Sequence, residues 1–563
     1  MLRGGIAATL LAALAALPPT ALAAGPLDVD TGWNPPRIVP LARGEVLPTP
    51  AELQARGARV GRILVRVYDI FDTADPREDN WVYRTANALH YKTRDWVVVN
   101  QLTFRSGDRL DAQRLAESER ILRNRRYLYD AVVRVARYDP KTNVADIEVS
   151  VRDVWTLNPG ISYSNTGGNE KKAFEIEELN LLGRGQKLQV AWRKNVDRTS
   201  KDLQWVNPNL FGSRWQLETS YADLSDGQTR YVNLDRPFYS LDARWAAGGY
   251  AYDDQRVETR YDLGSPVDAV DVRTRRFDLH YGWSKGLQDG WTRRWTAGLR
   301  YDQETFAAAP GQVAPATLPE DRKFAYPWVG AEWYQDAYSK VTNHDQIGRT
   351  EDVYLGTHWQ ATLGYANNGM GSSHDALLFT GNLSSARDYR PDLQWSLDTS
   401  THGRIQSGTL RDAVLSAQAR HYWRIDRHQT FYASATGTLT DRLDPDKQLV
   451  LGAEEGLRGY PLRYQTGTAS ALVTLEQRMY TDWYPFRLFF VGAVVFFDTG
   501  RTWGPTLGGE APAGWLSDAG FGLRFGNSRS GLGSVVHVDF SYALNAVPGR
   551  SRFQITVQTS KGF

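Results

Sequence analysis

The chain has no cysteine, which removes disulfides, thiolate metal sites and thiol nucleophiles together. It also lacks long apolar runs: beyond residue 24 nothing approaches the roughly 18 uninterrupted apolar residues of a transmembrane helix. A charge excess is missing too, with 66 Lys and Arg against 64 Asp and Glu, and so balanced a chain implies no nucleic-acid partner. What is abundant is aromatic, 19 Trp and 28 Tyr, side chains favoured where an apolar ring and a polar tip meet a membrane edge. The mean hydropathy of −0.47 suits a soluble protein. It suits equally a transmembrane β-barrel, in which only alternate residues face lipid.

Residues 1–23 carry Arg3, an apolar stretch from Ile6 to Leu17 and then Ala21-Leu22-Ala23, the three parts of a secretory signal, with cleavage expected after Ala23. Residues 24–60 are polar and proline-rich and read as a linker. Within it Thr49 and Pro50 fit the cap and first turn of a short helix, AELQAR. Residues 61–155 mix two periods. Ile63, Val65 and Val67 alternate as a strand, Trp81 to Leu89 and Asp111 to Leu128 have helical spacing, and Ala131 to Tyr138 and Val144 to Val151 alternate again around a polar turn. The order is β-α-α-β-β, a small α+β unit with helices on one face of a sheet.

From residue 156 to 563 the pattern is strands only. KLQVAWRK at 187–194, RWQLETSY at 214–221, VYLGTHWQATLGY at 353–365 and VVHVDFSYAL at 535–544 each present one apolar and one polar face. Many such runs reach the ~10 residues that cross a membrane when tilted, and only a closed antiparallel barrel satisfies every backbone group in lipid. A soluble all-β fold is the alternative. Raw counting of alternating runs gives up to about 20 strands, and a spacing of 16 also fits.

Two short motifs carry the functional reading: LRGY at Leu457–Tyr460 and FFDTG at Phe496–Gly500. With the signal, the β-α-α-β-β unit and the barrel, they resemble the BamA/TamA superfamily of outer-membrane assembly and translocation proteins, whose periplasmic modules are POTRA domains and whose barrels have 16 strands. LTFRSGDRLDAQRLAESERILRNRRYLYDAVVRV from Leu102 is similar to the second half of a POTRA domain. ELNLLGRGQKLQV from Glu178 and NPNLFG at 207–212 look like the first periplasmic turns of such barrels. Five strands follow LRGY, near 471–480, 487–497, 517–526, 534–544 and 552–560, as in that family. The chain departs from it in having a single POTRA-like unit and a longer stretch before LRGY, as a divergent member would.

The resemblance implies that the loop bearing Arg458, Gly459 and Tyr460 folds into the lumen, where a guanidinium needs a carboxylate. Alternation sends Phe489, Val491, Val495 and Phe497 toward lipid and Asp498 inward, so Arg458 and Asp498 are the expected pair. Glu476, inward by the same count, is a second partner. Phe496 and Gly500 complete the barrel motif. An open sheet edge at Val132, Val133 and Val135 would take an extended client by β-augmentation, and a mobile seam near Ile161 and Phe553 would admit it laterally. Phe553 and Phe563 resemble a C-terminal assembly signal.

No cofactor or metal is expected, because the nine histidines form no ligand pattern. GWSKG at 282–286 matches a nucleophile pattern but lies on a strand entering a turn, without the strand-turn-helix elbow that chemistry requires. The expected function is thus a non-enzymatic outer-membrane barrel of a Gram-negative bacterium that assists membrane-protein insertion or moves a polypeptide or lipid. Its expected partners are a client outer-membrane or secreted polypeptide, outer-membrane lipid and accessory periplasmic or lipoprotein factors. A passive channel with a periplasmic module, and more remotely a barrel-rim hydrolase, are the rival readings.

Overall fold

The computed structural model describes residues 33, 35–36, 39–41, 46–166, 169–506, 514–531, 535–545 and 551–560. The expected signal segment and Phe563 lie outside them. Near the N-terminus, Thr49 caps α1 (Pro50–Ala55) through a reciprocal capping box with Glu52, and α1 buries Leu53 in the core of the α+β unit. There β1 (Arg59–Tyr68), β2 (Leu128–Asp139) and β3 (Val144–Asp153) form a sheet in the order β1-β3-β2, with β1 parallel to β3 and β2 antiparallel to it. The helices are α2 (Trp81–Leu89), α3 (Asp95–Val99) and α4 (Ala112–Arg123). One more short helix is present than the expected two. The spacing from Asp111 to Leu128 is helical only as far as Arg123, because the chain must turn at Asn124–Tyr127 to enter β2.

Among the described residues the remainder closes into an antiparallel barrel of 20 strands, from Leu157–Thr166 to Phe553–Ser560. The raw count of alternating runs is therefore right and the spacing of 16 is corrected. The five strands after the LRGY loop are Ala469–Tyr480, Phe489–Trp503, Leu516–Asn527, Val535–Ala543 and Phe553–Ser560. VYLGTHWQATLGY does not form one strand: it breaks at Leu355 and Gly356, between a small hairpin and the barrel strand Thr357–Ala366. Among the described residues no helix is long and apolar enough to cross a membrane.

Strands Trp245–Asp262, Ser265–Gln288 and Trp291–Ala308 hold 18, 24 and 18 residues. Since roughly 9–11 residues suffice to cross, these strands stand well clear of the bilayer on the side away from the α+β unit. Nearer the α+β unit the barrel carries an outward aromatic row. Trp245 faces Trp283 and Trp283 faces Trp295 across strands, the Trp295 and Trp333 rings lie 5.3 Å apart, and Trp333 stacks on Trp359 at 4.3 Å. Such girdles form because the indole ring and its N–H find apolar and polar partners only at the interface.

Candidate functional site

The loop between strands Gln429–Asp441 and Ala469–Tyr480 folds into the lumen and pins itself with a short ladder, Leu449–Leu451 against Gln465–Gly467. Leu457, Tyr460 and Tyr464 pack with Leu451, Leu516 and Ala543, and the Tyr460 hydroxyl donates to the Ser517 carbonyl at 2.8 Å. Gly459 is required by close approach: a Cβ there would sit 2.7 Å from the Asp518 Cβ and 3.1 Å from the Ala543 nitrogen.

This packing delivers Arg458 to the barrel wall. Its Nε lies 2.7 Å from Asp498 Oδ2 and its Nη2 3.0 Å from Asp498 Oδ1, the two-pronged geometry that a planar guanidinium makes with a carboxylate. Its Nη1 reaches Glu476 Oε1 at 3.0 Å, so the two carboxylates hold the arginine together. The guanidinium also lies 3.6 Å from the centre of the Phe496 ring. Asp498 has no exposure. Gly500 gives room to the same loop, since a Cβ on it would lie 3.1 Å from Leu451 Cδ2. Farther out, Arg463 pairs with Asp197 at 2.7 Å, Arg404 with Asp444 at 2.7 Å and Arg322 with Asp446 at 2.8 Å, tying the loop to several sides of the wall.

A second insert, absent from the sequence reading, enters from the opposite end. Between barrel strands Arg322–Gln335 and Thr357–Ala366 the chain forms the hairpin Tyr338–Thr342 and Thr350–Tyr354. Its tip buries Ile347 among Tyr480, Val494, Phe496 and Val535. Asp345 accepts from the Tyr422 hydroxyl at 3.0 Å and lies 3.7 Å from Arg478, whose Nε is 2.9 Å from Glu476 Oε2. Arg458, Glu476, Arg478 and Asp345 thus form one chain of alternating charge from the LRGY loop to the hairpin tip. His344, Asp345 and Glu351 bring ligand-type atoms within 4.8 Å of one another, but these atoms have other duties. The Glu351 carboxylate accepts the backbone N–H groups of His344, Asp345 and Gln346, and His344 Nε2 meets Gln394 at 2.7 Å.

The α+β unit covers the mouth on the hairpin's side. Buried Arg123 on α4 joins Glu119, Asp130 and Asp352 of the hairpin at 2.6, 2.8 and 2.5 Å, and Lys340 pairs with Glu119. Around the rim, Glu117 accepts the Leu241 N–H at 2.7 Å, Gln101 donates to Asn209 at 2.6 Å, the Arg94 N–H donates to the Gly183 carbonyl at 3.0 Å and Arg529 pairs with Glu78 at 2.5 Å. This explains why α4 buries Glu117, Glu119 and Arg123, a pattern that an isolated domain surface would not show. A cavity of about 920 Å³ remains beside the unit, lined by Tyr129, Asn343, Arg424, His428 and Arg529 among others.

The edge of β2 is engaged in this arrangement. The Val133 N–H donates to Glu119 at 2.8 Å, and the Ala131 and Leu128 carbonyls accept from Arg123 and Arg349 at 3.1 and 3.0 Å. Val132 and Val135 pair with Ser150 and Ile147 of β3. At the seam, the first and last barrel strands meet at a single register position among the described residues, Asn165 with Ile555, whereas other neighbours pair over long runs, as Val535–Tyr542 does with Phe553–Ser560. Phe553 is exposed on the outer face. Ser284 lies inside the strand Ser265–Gln288 and donates to the Arg293 carbonyl, with no helix following it. Asp539 is taken by Arg524 at 2.6 Å.

No family model and no curated protein matches the chain. Among solved structures it is similar to BamA from Haemophilus ducreyi lacking POTRA domains 1–3, at 13% identity and a TM-score of 0.38, over 88% of this chain and 84% of that one. It is similar to CdiB from Escherichia coli at 12% identity and a TM-score of 0.45, over 89% and 76%. For CdiB from Acinetobacter baumannii the values are 11% and 0.41, over 89% and 74%.

Proposed function

We propose that this chain is a divergent member of the BamA/TamA superfamily, an outer-membrane barrel that inserts membrane proteins or moves a polypeptide or lipid through its wall. The observation that carries this reading is the seam, where, among the described residues, Leu157–Thr166 and Phe553–Ser560 share one register position while their neighbours pair over long runs. An edge with unpaired N–H and C=O groups is a template for another strand. The lumen beside it is filled from both ends, by the LRGY loop and by the hairpin, and the α+β unit sits across the mouth. That arrangement favours lateral passage over an open pore. Arg458 with Asp498 and Glu476 holds the outer loop in place. The α+β unit, on the periplasmic side, receives the client, and since Glu119, Arg123 and Arg349 occupy the β2 edge, reception there requires the unit to move off the hairpin.

The test is capture of a client by the chain in cells. A photoreactive side chain at Val132 should crosslink to unfolded outer-membrane or secreted polypeptides, and one at Phe553 to the same species. Empty traps at both positions, with steady ion conductance through the purified protein in planar bilayers, would favour a passive channel instead.

A further inference from the structure

Helix α2 is amphipathic in the wrong direction for a soluble domain. The residues that face the protein are Tyr83 and Asn87, with His90 just beyond the helix: Asn87 bonds both the N–H and the carbonyl of Phe71 at 3.1 and 2.9 Å, His90 meets Asp153 at 2.9 Å, and the Tyr83 ring stacks on Phe71 at 4.1 Å. The outward residues are Trp81, Val82, Arg84, Thr85, Ala88 and Leu89, an apolar row with one charge, Arg84, which reaches back to Asp79 at 2.6 Å. Trp81 is 77% and Leu89 67% exposed, and Tyr91 beyond the helix is 65% exposed. On a globular domain the apolar stripe turns inward. Trp96 and Val99 of α3 are exposed as well.

The place of this segment gives the stripe a partner. The Tyr83 hydroxyl donates to the Phe486 carbonyl in the turn before strand Phe489–Trp503, Glu78 holds Arg529 in the turn before Val535–Ala543, and Arg94 holds Gly183 in the turn before Lys187–Lys194. These turns flank the seam on both sides, so residues 78–94 run along the rim beneath it. Two of these turns and the next one also project an apolar side chain from the left-handed region, Leu182 at φ 54°, Phe211 at φ 52° and Phe486 at φ 53°. All three are exposed, Phe211 at 96%. Holding a bulky residue there is strained, and the strain is offset where the side chain reaches lipid. Turns that join membrane-crossing strands lie at the bilayer surface, where aromatic side chains and amphipathic helices settle.

We propose that the segment Trp81–Val99, with Trp81, Val82, Leu89, Tyr91, Trp96 and Val99 outermost, seats in the periplasmic leaflet of the outer membrane beneath the seam, with phospholipid as its partner. The inference rests on the outer-membrane reading above. Its effect is to hold the α+β unit against the bilayer at the point where the barrel wall is weakest.

Because the chain has no cysteine, single introduced thiols can carry an environment-sensitive fluorophore in the full-length protein, reconstituted in phosphatidylethanolamine–phosphatidylglycerol vesicles. Thr85→Cys reports on the stripe, Leu299→Cys on the outer barrel wall and Lys141→Cys on the far turn of the α+β unit. The Thr85 probe is expected to be quenched several-fold more by spin-labelled lipid than by aqueous iodide, with the Lys141 probe showing the reverse. Adding Trp81→Glu and Leu89→Glu should return the Thr85 probe to water while the Leu299 probe stays in lipid, which shows that the barrel is still inserted. A Thr85 probe as aqueous as Lys141, or one still in lipid in the charged variant, overturns the inference. A Leu299 probe in water overturns the membrane-barrel reading beneath it.

Discussion

Arg458 is the residue whose replacement tests the lumenal pairing most sharply. Two unit charges ~4 Å apart attract by about 4 kcal/mol at an effective dielectric of ~20, and Asp498 and Glu476 both lie within 3.0 Å of the guanidinium. Arg458→Ala leaves buried Asp498 without its counter-ion, while Glu476 keeps Arg478 at 2.9 Å, so the expected loss is about 3–5 kcal/mol. Asp498→Asn leaves Arg458 paired with Glu476 and gives up charge assistance in two hydrogen bonds, an expected loss of about 1–3 kcal/mol. In the double variant the Asp498 penalty is already gone, so the coupling should be between about 1 and 3 kcal/mol. Urea unfolding from lipid vesicles gives the free energies, and limited proteolysis between Arg442 and Tyr464 reports release of the loop. Single losses that add within ~0.5 kcal/mol, or a loop that stays protected in Arg458→Ala, would refute the pairing as the device that holds it.

Gly459→Ala should also release the loop, because its Cβ would meet the Asp518 Cβ at 2.7 Å; protease sensitivity without loss of barrel heat-modifiability is the expected result. Arg123→Met strands Asp130 and Asp352, with Glu119 still held by Lys340, and should loosen the hairpin from α4 at a cost of about 3–5 kcal/mol, read as faster hydrogen exchange over residues 338–354. Burial raises the Glu117 carboxyl above the ordinary glutamate value against its bond to the Leu241 N–H. The docked state therefore binds the proton more tightly, and docking should weaken as pH rises through the docked value. Protection of the Leu241 amide, after division by its intrinsic base-catalysed exchange rate, should fall with pH in the wild type, and Glu117→Gln should flatten that dependence.

Much of the barrel was legible because alternation is a local property. Parity along Phe489–Phe497 is enough to turn Asp498 inward, and the same count places Glu476 beside it. The number of strands was legible from the raw runs and obscured by the expected spacing of 16. The hairpin at 338–354 was not legible: YSKVTNHDQIGRTEDVY has the polar composition of a loop, and its partners Arg478, Tyr422 and Arg123 come from distant positions. Nor was the engagement of the β2 edge, since Glu119 and Arg123 look like ordinary charges on the solvated face of a helix until the barrel mouth covers them. The inverted stripe of α2 was visible as helical spacing, but its direction depends on which side meets Phe71 and Asp153.

The seam is the central claim, and a reversible bond across it tests that claim most directly. Asn165 and Ile555 are register partners, so Asn165→Cys with Ile555→Cys should form a disulfide in a chain that otherwise has no thiol. Oxidation is expected to abolish client crosslinking at Phe553 and client delivery, and a reductant to restore both. Undiminished delivery with the seam closed would contradict it.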